Sequence, residues 1–414
     1  MINKQREITF LMWLIGFMVV FLLVGSCKQQ DNERSGAQVL DDFSMHLVHI
    51  NFRIEDSLIG KYYATEKLLD AGNKAIPTII IDIDKRDAFL VMELNGLLMK
   101  MPQNEETNRA FAEIQKYHND LTAKHSEFQK KSGDENELIF DKTMHWYHRS
   151  ETAAKLIDKG ELPITDLLPL LKSRDLDDQK TAITTLNRVA FSDYVRRKIK
   201  GKTSGNENNQ TYITEKIKKA LSPLLLKHLR SLDLDIGRRS ALILGRFGNS
   251  SVVPDLIRHI PLVNPYVQEG ITVALAELND TKAIEPLHKL VIYGHTPYVR
   301  ASAADALMNF QNPSSIEILN NALTDTEWLV RFQAAEVLKS YQKMENIKPF
   351  VKLITDEYPL VRMQGLYLIG KFGDSSYKET VSKNLNDPDT EVRETAEDVI
   401  YKFEHGEWPS GKGC

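Results

Sequence analysis

Few residues in this sequence have types and spacings that could carry chemistry, and each group lacks a partner that its reaction requires. His145 and His148 lie three residues apart, which places two imidazoles on one face of a helix, where they could bind a metal ion. No obvious third ligand accompanies them, so we expect a structural role and no metal site. The run Gly406–Gly413 imitates a phosphate-binding loop, but it lacks the final Ser or Thr and follows no predicted strand.

Motifs of the common enzyme classes are absent from the chain. The sequence contains no G-x-S-x-G, H-E-x-x-H, C-x-x-C or G-x-G-x-x-G. We therefore predict a protein that is not an enzyme and uses no cofactor, and we assign no catalytic residue. The alternative is an enzyme or an enzyme-accessory factor with a site between residues 40–150 and the first repeats. A pocket of convergent titratable groups at that place would favour the alternative.

Four arginines recur at intervals of 31 residues: Arg300, Arg331, Arg362 and Arg393. One interpretation is a basic column that binds an acidic partner. The other, which we favour, is an internal column in which each guanidinium bonds to turn carboxylates or carbonyls such as those of Asp325, Asp356 and Asp387. These aspartates recur in the same units as three of the arginines. Gly237 and Gln268 interrupt the column in the earlier units.

A second group of cations precedes a polar segment. Five of the seven residues from 196 to 202 are basic: Arg196, Arg197, Lys198, Lys200 and Lys202. Beside an anionic membrane, each such charge adds about 1 kcal/mol of attraction. The group is therefore a candidate contact for an anionic surface, and a solvated loop is the alternative.

The elements that carry the arginine column repeat along the chain. Branched apolar residues, here called origins, recur every 31 or 32 residues: Ile236, Val267, Val299, Val330, Val361 and Val392. A mostly small residue follows four positions later, and apolar residues follow eight and eleven positions later, as in Ala334, Leu338 and Tyr341. These offsets lie on one face of a helix. A second apolar pair, eleven and seven positions before each origin, predicts a preceding helix.

The same spacing places an earlier origin at Asp178, with a polar insertion between residues 192 and 218. Seven units over about residues 163–404 result, each a helix, a short turn and a second helix. Proline, which suits the first turn of a helix, often stands near the start of the first helix. The prolines are Pro223, Pro254, Pro286 and Pro349.

The units resemble HEAT repeats, specifically the short bacterial type found in PBS lyases. The resemblance rests on the motif D-x4-V-R at residues 325–331, 356–362 and 387–393, each followed by a helix rich in Ala and Leu. It implies an all-α fold, an α-solenoid of HEAT-like helix pairs preceded by a small helical N-terminal segment. It also implies a groove lined by the second helices and a long surface for a protein partner.

The N-terminus has the pattern of an export signal. Lys4 and Arg6 precede an unbroken run of 15 residues, Phe10–Val24, that is apolar apart from one glycine. A membrane-spanning helix needs about 20 residues, whereas the length of this run suits the core of a secretory signal. Polar residues begin directly after Cys27.

The segment Val24-Gly25-Ser26-Cys27 resembles the lipobox of bacterial lipoproteins, with a slight departure from the commonest form, Leu-Ala-Gly-Cys. The resemblance implies cleavage before Cys27, diacylglycerol on its thiol and an acyl chain on its amine. Two or three chains anchor a protein stably, since each buried CH2 contributes about 0.8 kcal/mol. An uncleaved anchor with an incidental cysteine is the alternative. Lys28, rather than Asp, implies the outer membrane rather than the inner one, facing either the periplasm or the surface.

We therefore expect five parts: a signal peptide (1–26), a flexible tether (27–39), a mostly helical region (40–160), the HEAT-like solenoid of about seven repeats (161–405) and a C-terminal tail (406–414). Within 40–160 the pattern predicts helices over 46–72, 86–101 and 104–131. Residues 78–83 could be a short strand or the start of a helix.

The composition limits the function. The 414 residues are 42% hydrophobic with a net charge of -4, which is ordinary for a globular protein and argues against a nucleic-acid binder. Two cysteines exclude a disulfide-stapled scaffold. We expect a membrane-tethered, non-catalytic scaffold or adaptor of the bacterial cell envelope that binds a protein partner through its repeats. The sequence does not identify that partner.

Overall fold

The structure is a computed structural model that describes residues 58–76, 98–101, 104–130, 135–142, 144–200, 213–344 and 346–409. These residues form helices, turns and connecting loops, without a strand among them. All of them belong to one structural unit, Met45–Cys414. No helix in these ranges is both long and apolar enough to cross a membrane. The apolar run Phe10–Val24 lies outside them.

Within the described ranges, four helices precede the predicted repeats: α1 (Leu58–Ala71), α2 (Glu105–Lys130), α3 (Glu135–Phe140) and α4 (Trp146–Lys159). The long polar helix predicted over 104–131 is confirmed by α2. Helix α1 covers the second half of the helix predicted over 46–72 and ends before Gly72. Residues 77–97 lie outside the described part, and with them the predictions for 78–83 and for most of 86–101.

Seven helix pairs follow in residues 168–200 and 213–405, as the spacing predicts. They are α5 (Leu168–Lys172) with α6 (Leu176–Lys200), α7 (Glu215–His228) with α8 (Leu234–Phe247), α9 (Val253–His259) with α10 (Pro265–Leu278), α11 (Ile284–Tyr293) with α12 (Pro297–Leu307), α13 (Ser315–Ala322) with α14 (Trp328–Lys339), α15 (Lys348–Leu353) with α16 (Pro359–Phe372), and α17 (Lys378–Ser382) with α18 (Thr390–His405). The predicted fold class is confirmed.

Side-chain caps fix where the second helices begin. Four caps stand three residues before an origin, and each accepts a hydrogen bond of 3.0–3.2 Å from the backbone N–H of that origin: Asp233, Asn264, Thr296 and Asp389. A cap satisfies an N–H that has no partner within the helix and contributes about 1 kcal/mol. Where Glu327 occupies the cap position, the Asp325 carboxylate accepts from the backbone N–H of Glu327 at 2.9 Å instead.

The second helices form the continuous part of the core. Helix α6 packs on α8, α8 on α10, and so on to α16 on α18. The small residues predicted four positions after the origins are fully buried, as at Ala303 and Ala334. Gly365 shows why this position is small, since a Cβ added there would lie 2.7 Å from the Cβ of Leu353 in the paired helix. A larger side chain would separate α15 from α16.

The stack begins one layer before the predicted repeats. Helix α4 packs on α6, and α3 packs on α4. This layer explains why an aspartate occupies the first origin. The buried carboxylate of Asp178 accepts hydrogen bonds from Arg149 Nη2 of α4 at 2.6 Å and from Ser173 Oγ at 2.8 Å. Burial acts to raise the pKa of Asp178, but hydrogen bonds from Arg149, Ser173 and Lys142 outweigh it and hold the pKa below its usual range.

The prolines divide between two positions. Pro254, Pro286 and Pro349 stand in the first turns of α9, α11 and α15, as predicted, whereas Pro223 lies inside α7. Helix α7 begins earlier, at Glu215, because the Thr214 hydroxyl accepts a hydrogen bond from the N–H of Ile217. The first helix of this unit therefore begins inside the insertion predicted between residues 192 and 218.

Candidate partner-binding surface

Three of the four column arginines pair with aspartates of the next helix pair. Arg331 donates from Nε and Nη2 to the two carboxylate oxygens of Asp356 at 2.7 and 2.8 Å, and from Nη1 to the carbonyl of Asp325 at 2.8 Å. Arg300 makes the same fork with Asp325, at 2.7 and 2.8 Å. Arg362 makes it with Asp387, at 2.8 and 2.7 Å. We call each such Arg and Asp pair a clasp. Two parallel charge-assisted bonds fix geometry as well as adding energy.

The clasps differ in register from what the motif suggests. In D-x4-V-R the aspartate and the arginine of one unit look like partners, yet the Asp356 carboxylate binds Arg331 of the preceding unit. Arg362, in the same unit as Asp356, takes only its backbone carbonyl, at 2.8 Å. Each aspartate therefore joins two arginines, one through its side chain and one through its main chain. Each clasp fastens one helix pair to the next.

In the structure, the column arginines bond to groups of their own chain, as the internal interpretation expects. The side chains of Arg300, Arg331 and Arg362 are at most 15% exposed and face carboxylates of their own chain. Arg393, in the last pair, bonds to the carbonyls of Asp387 and Pro388 and to Thr390 Oγ1, at 2.7, 3.1 and 2.8 Å. Contact between the column and a partner stays a prediction.

The other sequence-predicted residues fall partly outside the description. Helix α6 extends to Lys200, but the side chains of Arg196, Arg197, Lys198 and Lys200 are not described, and Lys202 lies outside the described residues. Cys27 lies outside them too. The membrane contact and the lipid anchor therefore stay predictions.

His145 and His148 lie at the start of α4 with separate roles. The His145 side chain caps the helix by accepting a hydrogen bond from the N–H of Tyr147 at 3.3 Å, and His148 is buried. Among the described residues, no group of three or more His, Cys, Asp or Glu side chains is placed to hold a metal ion.

A surface that the sequence analysis did not identify lies at the N-terminal ends of three second helices. We call it the aromatic platform: Tyr298, Trp328 and Tyr358. Pro297 and Pro359, in the first turns of α12 and α16, hold the chain where these rings lie near the starts of their helices. Trp328 stacks on Tyr358 with ring centroids 5.1 Å apart.

Helix α1 covers this platform. Tyr63 of α1 meets Tyr298 edge to face at 5.4 Å and Trp328 at 5.6 Å. Tyr63 is 2% exposed and Trp328 is 1% exposed, so the contact excludes water from both rings. Aromatic pairs of this geometry contribute about 0.5–1.5 kcal/mol beyond the area that they bury.

Polar contacts orient α1 on the platform. The Tyr63 hydroxyl donates to Glu327 Oε2 at 2.7 Å, the indole N–H of Trp328 donates to Glu66 Oε2 at 3.0 Å, and Lys67 Nζ lies 3.4 Å from Glu327 Oε2. Burial raises the pKa of the Glu66 carboxyl, although the Trp328 hydrogen bond opposes the shift. Burial also raises the pKa of the Tyr63 and Tyr358 hydroxyls. The platform thus combines an aromatic centre with carboxylates at its edge.

The repeat register contains a signal for the platform. An aromatic residue stands one to three positions before four successive origins: Tyr266, Tyr298, Trp328 and Tyr358. An exposed aromatic row at one end of a stack is unusual unless something covers it. The sequence did not show that α1 is that cover, because the contact joins residues 264 positions apart.

Stacked helix pairs, inter-pair clasps and a helix-covered platform define an α-solenoid of HEAT-like repeats. The family model for HEAT repeats matches residues 222–308, 294–364 and 316–401. HEAT repeats are helical scaffolds for protein interaction, in which each unit contacts its neighbours and the stack offers an extended surface. Among curated proteins, none matches this sequence significantly.

Several solved structures are similar at low identity. The complex of CpcE and CpcF of phycocyanin lyase from Nostoc sp. PCC7120 is 17% identical, with 58% of this chain and 95% of that chain covered and a TM-score of 0.32. Importin beta is 13% identical, with 88% and 53% covered and a TM-score of 0.45. An engineered protein is 19% identical, with 90% and 97% covered and a TM-score of 0.40. These similarities carry no information about function.

Proposed function

We propose that this chain is a membrane-tethered, non-catalytic scaffold or adaptor of the bacterial cell envelope that binds a protein through its HEAT repeats. The observation that carries the proposal is the aromatic platform, on which the repeats already bind one helix, α1, through buried rings and edge carboxylates. A helix laid into an apolar groove is a common mode of protein recognition. The same chemistry suits a helix of a partner.

The tether rests on the N-terminal sequence. Lys4 and Arg6, the apolar run Phe10–Val24 and Cys27 together support acylation of Cys27. Multiple acyl chains would hold the solenoid at a membrane surface, and Lys28 favours the outer membrane. A scaffold fixed at a membrane meets its partner at a raised local concentration.

Crosslinking in intact cells followed by affinity capture and mass spectrometry tests the proposal, with Cys27→Ala beside the wild-type protein. We expect one protein partner at near-stoichiometric yield with the wild type, and loss of that partner when Cys27 is replaced. Radiolabelled palmitate provides the independent readout of acylation. A protein that carries no label and captures no partner in either form would contradict both parts of the proposal.

The alternative is an enzyme or a lyase-like accessory factor with a site between residues 40–150 and the first repeats. Titratable groups do converge there: Lys142, Arg149, Asp175 and Asp178. However, they neutralise one another, with Lys142 Nζ 3.5 Å from Asp175 and 3.3 Å from Asp178, and Arg149 held by Asp178 and the carbonyl of Ile139. A closed network of this kind favours a structural joint between α4 and α6.

A further inference from the structure

A polar cavity of about 290 Å³ lies between the turns of the first two helix pairs. The C-terminal ends of α5 and α7, the turns after them and the start of α6 form its walls, which include Lys172, Ser173, Gln179, Lys227, His228 and Arg230. A volume of this size accommodates a small ligand together with several water molecules.

The cavity stands where later pairs place a clasp. In each clasp the arginine follows its origin by one residue, and the aspartate precedes the next origin by five, as with Arg331 and Asp356. Counted from the origins Asp178 and Ile236, these positions hold Gln179 and Ser231, and Ser231 also lines the cavity. Two smaller side chains leave open the volume that the clasp fills elsewhere.

Gln179 keeps only half of the arginine's contacts. Its Nε2 donates to the carbonyl of Ser173 at 2.7 Å, as Arg331 Nη1 donates to the carbonyl of Asp325, in each case six residues back along the chain. The carboxylate half is missing, because Ser231 replaces the aspartate. The first joint therefore lacks the negative group that each clasp contains.

The cavity wall carries an excess of positive charge. Lys172, Lys227 and Arg230 line it, no Asp or Glu does, and none of the three cations forms an ion pair with a carboxylate in the described ranges. A concave surface with charges of one sign concentrates ions of the opposite sign. The cavity is therefore a place of positive potential without an internal counter-ion.

The C-termini of α5 and α7 lie at the cavity, and their backbone carbonyls carry partial negative charge that could bind Lys172, Lys227 and Arg230. Three of the carbonyls at these ends already accept hydrogen bonds from N–H groups. Leu171 O is bonded by the ring Nε2 of buried His228 at 2.9 Å, Leu170 O by the N–H of Ser173 at 3.2 Å, and the carbonyl of His228 by the N–H of Ser231 at 2.9 Å. The charged groups of Lys172, Lys227 and Arg230 are thus available to a ligand from solution.

We propose that this cavity, the open joint, binds a small oxyanion, a carboxylate or a phosphate, in place of the missing clasp carboxylate. Lys172, Lys227 and Arg230 supply the charge, and the Ser231 hydroxyl, which accepts from the N–H of Asp233 at 3.2 Å, supplies a donor at the wall. The site lies apart from the aromatic platform and does not depend on the scaffold function. Ligand binding joins the first two helix pairs as Asp356 and Arg331 join later ones.

Isothermal titration and thermal unfolding of the full chain, at constant ionic strength set with chloride, test the proposal. The probes are inorganic phosphate and, separately, citrate. We expect saturable binding of at least one probe with a dissociation constant of about 1 mM or below. Phosphate alone, citrate alone or both would each support the site and identify the oxyanion that it prefers.

Three variants locate the binding. The double variant Lys227→Ala with Arg230→Ala should weaken it at least about tenfold. Gln179→Arg with Ser231→Asp rebuilds the clasp, supplies an internal carboxylate and should abolish binding without loss of fold. The control, Lys216→Ala with Lys219→Ala, removes two exposed cations of α7 that do not line the cavity and should leave binding unchanged. Absence of binding by either probe, or equal weakening by the control, would overturn the proposal.

Discussion

The two ends of the repeat array use the same helix pairs but different joints. From α12 onward, a clasp fastens each pair to the next, at Arg300–Asp325, Arg331–Asp356 and Arg362–Asp387. In the earlier pairs, the arginine position holds Gln179, Gly237 or Gln268. Core packing is continuous through both ends, so the difference lies at the turns and not in the stack of second helices.

The earlier joints rely on scattered contacts instead. Lys180 Nζ lies 3.1 Å from Asp233 between the first two pairs, and the Tyr266 hydroxyl donates to Asp235 at 3.2 Å between the second and third. No two of these contacts share a register. In a stack where each unit contacts only its neighbours, local joints set local stability. We therefore expect the C-terminal pairs to be locally stable and the joint between the first two pairs to open more readily.

Breaking a clasp should have the largest effect. Arg331→Ala leaves the Asp356 carboxylate, whose side chain is 10% exposed, without its cation, and should cost about 3 kcal/mol at that joint. Because repeat arrays unfold in parts, hydrogen exchange of amides in α14 and α16 is the measurement. The matched control is Gln179→Ala at the same register position of the first unit, where we expect about 1 kcal/mol. Equal losses at both positions would mean that the clasp does not distinguish the two ends.

Weakening the contact of α1 tests a second source of stability at the clasped end, because α1 packs on the aromatic platform there. Glu66→Ala leaves the indole N–H of Trp328 without its acceptor and should weaken the docking of α1 by about 1 kcal/mol. The readout is exchange of α1 amides. The control Lys67→Ala removes a partly exposed ion pair with Glu327 and a cation 5.1 Å from the centre of the Tyr63 ring, and should cost less, about 0.5 kcal/mol. Loss of protection across α12–α16, and not only in α1, would show that α1 rather than the clasps stabilises the clasped pairs.

Rebuilding a clasp is the reciprocal experiment. Gln179→Arg with Ser231→Asp should stabilise the first joint by about 1 kcal/mol, since a bidentate pair fills the cavity. Gln179→Arg alone adds a fourth cation beside Lys172, Lys227 and Arg230 and should be less stable than the double variant. Exchange of amides in α6 and α8 measures both. If amides in α6 and α8 of the double variant are no better protected than in the wild type, the later clasps depend on more of their surroundings than these two residues.

The repeating helix pairs could be predicted from the sequence, whereas the contacts that do not repeat could not. The spacing of origins located all seven described pairs, because apolar and small residues at fixed offsets are needed in every layer of a stack. The partner of Asp178 could not be found this way, since Arg149 lies in a layer that lacks the motif. The motif left open which arginine binds each aspartate, because the arginine of the same unit takes the carbonyl of Asp356 whereas the arginine of the preceding unit takes its carboxylate. The docking of α1 depends on single contacts of Tyr63 and Glu66 with no periodic trace.

Acid should loosen the first joint before the later ones, through buried histidines. Burial lowers the pKa of His228, with a contribution from Lys227, and burial lowers that of His288. A folded pKa below the unfolded value of 6.5 means that each neutral ring favours folding, so stability is full above about pH 6.5 and falls as the pH drops below it. His288 has the Glu285 carboxylate 3.9 Å away, which favours its charged form, whereas the cavity beside His228 carries only cations.

Hydrogen exchange from pH 7 to pH 5, corrected for the intrinsic rate, should therefore show α6 and α7 losing protection before α11 and α13. His228→Gln keeps an N–H donor for the carbonyl of Leu171 and removes the titration, so the extra acid sensitivity of the first joint should disappear. His288→Gln is the matched variant at the other end and should leave that sensitivity in place. If His228→Gln keeps the acid sensitivity, other groups of the open joint cause it and the protonation of His228 does not.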